Sequence, residues 1–237
     1  MPLIADGIGA SDCESIRDAW LAQPVNTLSS FAYVAVGLVV VVLAVRARRA
    51  VAESVVYGLC LAAIGLGSVL FHGPQPDGAQ VLHDLPILIT ALFVVAVDIA
   101  LLSLRVGRPW TIFGVTSIAA TGLTLVDAGL GAAVTGAAVV AIVVLEFLVY
   151  RRRARQLPAQ RQLMVYGAIL AVAAVAAAAW LLGRTGSPAC DPDGEFQFHG
   201  LWHLISAVMF GLWWWLAFGS ERSAPAAVPA GEHGRRA

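Results

Sequence analysis

The sequence predicts an all-α membrane protein: a seven-transmembrane helix bundle with its N-terminus outside the cell and its C-terminus in the cytoplasm. Three observations carry this. Of the 237 residues, 59% are hydrophobic and only 13% are charged, more apolar surface than a soluble domain of this size needs. The apolar residues fall into seven runs, roughly 28–45, 54–72, 84–104, 110–127, 130–150, 163–183 and 198–218. Each run is close to the ~20 residues that cross a hydrocarbon core of about 30 Å. The basic residues, all of them arginine, divide thirteen to two between the two sides that these runs define.

The elements follow in order. Residues 1–27 carry Asp6, Asp12, Glu14 and Asp18 before any long apolar run, so this segment shows no cleavable signal peptide and is read as extracytoplasmic. The first span ends at Arg46, Arg48 and Arg49, and the third at Arg105 and Arg108. Arg151, Arg152, Arg153, Arg155 and Arg161 follow the fifth, and Arg222, Arg235 and Arg236 lie in the tail. The opposite side receives only Arg17 and Arg184. Positive residues stay cytoplasmic, which sets the orientation. Only Asp127-Ala128-Gly129 separates the fourth and fifth spans. The chain therefore divides into a segment 1–27, a membrane domain 28–218 and a Ser-, Pro-, Ala- and Gly-containing tail 219–237, read as disordered.

Composition also excludes partners. Net charge is zero and no basic patch exists beyond the topology signals, so nucleic acid is not expected. A retinal-based pump is ruled out because its Schiff base needs a lysine and the chain has none. Transporters place polar groups throughout the membrane depth and use paired broken helices, and neither pattern is present.

The ionisable residues converge instead at one depth. The second span runs outward through Gly65-Leu66-Gly67-Ser68-Val69-Leu70-Phe71-His72. An outer loop Gly73–Leu82 follows, and the third span starts inward at His83-Asp84-Leu85-Pro86. The seventh span begins on the same side with His199 and His203. Ser68, His72, His83, Asp84, His199 and His203 thus share the outer leaflet, while the fifth histidine, His233, lies in the tail. His199 and His203 stand four apart on one helix face, a spacing that suits two nitrogens on one metal ion. Three neutral imidazoles with one open position make the catalytic type of zinc site. Asp84 is placed to take a proton from a water held there. A lone interfacial histidine is ordinarily a hydrogen-bonded anchor, but ionisable groups inside lipid are costly and point to function. Of the remaining acids, Glu146 is read as reaching Arg151–Arg153, Asp127 as a helix end, and Asp98 as facing either the interior or Arg105, with no role assigned.

These residues carry a resemblance. The stretches GLGSVLFH at 65–72, HDLP at 83–86 and HGLWH at 199–203 resemble the three signatures of the alkaline ceramidase family, within a wider group of seven-span proteins that includes the progestin/adiponectin receptors. DCES…QPVNTLSS at 12–30 is similar to that family's opening segment. The resemblance implies an intramembrane Zn2+ held by His72, His199 and His203, with Ser68 steadying the water or the developing oxyanion. It implies hydrolysis of the amide bond of ceramide-like lipids. The family acid usually stands three residues before the motif proline, where this chain has His83; Asp84, two before it, is preferred because a carboxylate accepts a proton while already hydrogen-bonded. The family's N-terminal calcium site is not expected, since Ile16 and Gln23 stand where more charged oxygen ligands are needed beside Asp12 and Glu14.

Cys60 lies mid-span as an ordinary apolar thiol. Cys13 and Cys190 fall on the outer side, where disulfides persist, and the resemblance suggests that they bond to each other. The expected function is a zinc-dependent amidohydrolase acting on a ceramide-like or other N-acyl membrane lipid. The competing reading is a non-catalytic seven-span receptor or lipid-binding protein with a structural zinc.

Overall fold

The computed structural model describes residues 7–103, 109–154 and 159–219. Seven α-helices follow one another: α1 (Pro24–Ala47), α2 (Val51–His72), α3 (Ala79–Ser103), α4 (Pro109–Val126), α5 (Ala128–Ala154), α6 (Ala159–Leu182) and α7 (Phe198–Trp214). A π-helical turn, Trp215–Gly219, continues α7. Among the described residues there is no strand, only an isolated bridge between Asp12 and Arg184. All but α6 are long and apolar enough to cross a membrane; in α6 the apolar stretch is Tyr166–Leu182. Of the tail read as disordered, residues 220–237 lie outside the described residues, as do Arg105 and His233.

Helix α1 sits between α2 and α7, α2 packs on α3, α3 carries α4 and α5, and α6 packs on α7. Small residues allow the close approaches. A Cβ at Gly37 of α1 would fall 2.5 Å from the Gly58 carbonyl of α2, and one at Gly58 2.7 Å from that of Gly37, so the two backbones touch here. Gly67 of α2 lies against the Leu82 carbonyl, the group that Pro86 cannot pair with because it lacks an N–H.

Two boundaries differ from the sequence reading. Helix α1 starts at Pro24 rather than 28, because proline suits the first helical position and Glu14 supplies the cap from upstream. Helix α3 starts at Ala79, so the connecting loop ends at Gly78 and not Leu82. His83 and Asp84 therefore lie in the second turn of α3 rather than at its mouth.

The end of the bundle away from the histidines is closed by indole and guanidinium groups. Trp214 Nε1 donates to Ser54 Oγ at 2.8 Å and Tyr57 OH to the Phe210 carbonyl at 3.1 Å. Glu146, expected beside Arg151–Arg153, accepts from Trp213 Nε1 at 2.5 Å. Arg152 donates to the carbonyls of Leu102 at 2.6 Å and Leu101 at 3.1 Å near the end of α3. Asp98 is fully buried in the bundle. Asp127 accepts from Leu130 N at 2.9 Å and so caps α5.

Candidate metal centre

The site forms where the C-terminal end of α2 meets the N-terminal ends of α1, α3 and α7. The N-terminal segment is stitched across this end. Cys13 N donates to Gly183 O at 2.8 Å, Thr185 N to Ser11 O at 3.0 Å and Ser15 N to Pro192 O at 2.8 Å. The Cys13–Cys190 disulfide closes the same junction, with a Cα–Cα distance of 5.4 Å. Gly183, at the end of α6, is needed because a Cβ there would sit 2.5 Å from His199 N.

His72, His199 and His203 are all buried, each offering a ligand atom within 4.8 Å of the others. Their ring centroids form a near-regular triangle: 5.2 Å from His72 to His199, 5.2 Å from His72 to His203 and 4.7 Å from His199 to His203. Each ring is met at Nδ1. His72 Nδ1 lies 2.6 Å from Gln23 Oε1, and His203 Nδ1 2.9 Å from Ser29 Oγ. His199 Nδ1 is 3.3 Å from Asp12 Oδ1, a contact too skewed to count as a formed hydrogen bond. His72 Nε2 is buried without a hydrogen-bond partner among the described residues. A buried polar atom left this way is costly unless something else satisfies it. Three buried imidazoles sharing one such centre, two of them held at Nδ1 by Gln23 and Ser29, are compatible with a metal ion.

Beside the triad is a cavity of about 500 Å3, lined by His199, His203, Ser68, His83, Asp84 and Asp12, with Tyr33, Ile64, Ile87, Trp180, Trp202 and Phe210 among its apolar walls. Ser68 is buried and accepts from Ser30 Oγ at 2.9 Å. Asp84, with its side chain 44% exposed, is held by His83 Nδ1 at 2.7 Å and Gln80 Nε2 at 2.6 Å. The two rival candidates for the acid position are therefore hydrogen-bonded to each other. His83 in turn stacks on Phe71 with centroids 4.5 Å apart.

Four residues that line or brace this site were not picked out from the sequence for that role: Asp12, Gln23, Ser29 and Ser30. Burial pushes the Asp12 carboxyl up to about 6, against the pull of Arg184, whose Nη1 is 3.5 Å away. Burial likewise raises Glu14, whose two oxygens accept from Val25 N and Asn26 N at 2.8 Å each. Gln23, where a charged cation ligand would be expected by resemblance, instead uses its amide N–H2 as a donor to the carbonyls of Glu14 and Gly9. The one sequence signal for these residues was the polar stripe Asn26, Thr27, Ser29, Ser30 on an otherwise lipid-like helix, which needs buried partners.

Fold and site together define a multi-pass helical membrane protein with a three-histidine pocket suited to a metal ion. The ceramidase family model matches residues 14–221, nearly the whole described chain, and the protein belongs to that family. No curated protein matches it.

Proposed function

We propose that the chain is a zinc-dependent hydrolase that cleaves the amide bond of a ceramide-like or other N-acyl lipid, with His72, His199 and His203 holding one Zn2+. The observation that carries this reading is the buried histidine triad, of which His199 and His203 line a cavity walled by both polar and apolar residues. Helices α1–α7 act as seven spans, with the site towards the outer face. This orientation is supported by Arg17 and Arg184 at the histidine end and Arg46, Arg48, Arg49, Arg151 and Arg152 at the other.

Zinc in a site of three neutral imidazoles supplies Lewis acidity to a carbonyl and acidifies water towards neutral pH. The remaining work falls to the chain's own groups. Ser68, positioned 2.9 Å from Ser30 Oγ, offers its O–H to the carbonyl oxygen as negative charge builds there. Asp84, braced by His83 and Gln80, takes the proton from the attacking water and passes it to the amide nitrogen. The new C–O bond forms on the acyl carbon, the C–N bond breaks, and the products are a fatty acid and an amine. Tyr33, Ile64 and Phe210 give the acyl chain an apolar wall next to the reacting centre.

Metal analysis of the purified full chain, followed by fatty-acid release from labelled N-acyl lipids, tests the reading. One zinc per chain and chelator-sensitive release are expected, with both lost in His199→Ala. Zinc without turnover of any N-acyl lipid would instead favour a receptor or lipid-binding protein with a structural metal.

A further inference from the structure

We propose that Gln23 is a positioning residue that presents His72 to the metal, locking its imidazole so that Nε2 is the nitrogen offered to the site. This rests on the metal reading above and adds a residue that touches neither metal nor substrate. Gln23 is fully buried at the start of α1, and each polar atom of its side chain is used. Nε2 donates to Glu14 O at 2.7 Å and to Gly9 O at 3.1 Å, while Oε1 faces His72 Nδ1 at 2.6 Å. The Gln23 main-chain N also donates to His72 O at 2.8 Å. One residue therefore holds His72 by backbone and ring together.

The partners fix which atom is which. Two carbonyl oxygens beside one end of the amide require the N–H2 group there, so the other end is the oxygen. An oxygen facing Nδ1 requires a proton on Nδ1, and the neutral ring then carries its lone pair on Nε2. That is the buried atom with no hydrogen-bond partner among the described residues. The opposite tautomer would aim an N–H at the centre and exclude a cation. A second observation is independent of the ring. Gly9 has φ +79°, and a Cβ there would come 2.7 Å from Gln23 Oε1. Glycine at this position serves both the left-handed backbone and the space the amide needs.

The test measures metal affinity of the purified full chain by competition with a zinc-binding dye, together with the d–d absorption of the Co2+-loaded protein. Gln23→Leu keeps the volume and removes every side-chain hydrogen bond while leaving the backbone bond to His72 in place. It should weaken zinc binding about 10–100-fold, the usual effect of losing an orienting partner, and shift the Co2+ bands. Should Gln23→Leu not fold, Gly9→Ala displaces the amide oxygen with every ligand intact, and the same direction of loss is expected. Wild-type affinity and spectrum in Gln23→Leu or Gly9→Ala would overturn the proposal. A wild-type chain that takes up no zinc, or takes it up as well after His72→Ala, overturns the metal reading and this inference with it.

Discussion

Replacing Cys13 and Cys190 together by alanine should destabilise the protein by about 4 kcal/mol. The disulfide spans a sequence separation of 177. Treating the intervening chain as free, the loop-closure relation gives an entropy loss near 17 cal/mol/K, or about 5 kcal/mol at 25 °C. The chain is not free, however, because apolar helices persist in micelles and bilayers after tertiary contacts are lost. Helices α1–α6 take up 140 of those residues, by the lengths 24, 22, 25, 18, 27 and 24. Counted as six rods and the remaining flexible residues, the loop has about 43 segments, and the same relation gives about 4 kcal/mol. The logarithm makes the result insensitive to the choice. The backbone bonds from Cys13 N to Gly183 O and from Ser15 N to Pro192 O do not need the disulfide, so the native arrangement survives its removal. Reversible unfolding of the full chain in mixed detergent micelles, followed by tryptophan fluorescence, measures the difference. A loss under about 1 kcal/mol would refute the reasoning, because it would mean that the unfolded state keeps these two segments together without the bond.

Three further outcomes are expected. Asp84→Asn should lower turnover about 10²–10⁴-fold with zinc retained, and His83→Ala should be milder; the reverse ranking in a fatty-acid release assay would give the acid position to His83. Ser68→Ala should reduce kcat about 10²-fold without changing metal content, and an unchanged kcat would remove it from the reaction. Glu14→Ala should cost about 2–3 kcal/mol in the same unfolding assay. It strips the acceptors from Val25 N and Asn26 N, and the two lost bonds are partly offset by no longer burying a carboxylate.

Much of this was legible in the sequence because the background is so apolar. Against runs of Ala, Val and Leu, any histidine at a helix end stands out, and the four-residue spacing of His199 and His203 fixes their common face without tertiary information. Arginine asymmetry sorts the ends of the spans, which put Cys13, Cys190 and the histidines on one side. The start of α3 was missed because Ala79–Leu82 is one short polar-apolar turn, with no cap residue to mark it. Gln23 was missed for a different reason. An amide before a proline looks like any loop residue, and its importance lies in a contact 49 residues away. Asp12 is similar: its proximity to His199 depends on how the N-terminal segment folds over the bundle, which no local pattern encodes.

The three histidines come from two helices, α2 and α7, yet their outer nitrogens all meet residues from one stretch, 12–29. Gln23 meets His72, Asp12 meets His199 and Ser29 meets His203. This follows from the packing of α1 between α2 and α7. The start of α1 reaches both, through Gln23 to His72 and Ser29 to His203. Its register is set in turn by Glu14, which caps it, and by Gln23 O, which accepts from Thr27 N at 2.9 Å. With Pro24 lacking an N–H, every backbone donor of that first turn is satisfied. Helix ends fray unless their orphan groups are held, and a frayed start of α1 would release both His72 and His203 from their partners Gln23 and Ser29. The disulfide and the Glu14 cap therefore act on the site through one element. Substitutions in residues 12–29 are expected to change metal affinity and stability together, although none of these residues is among the three proposed ligands.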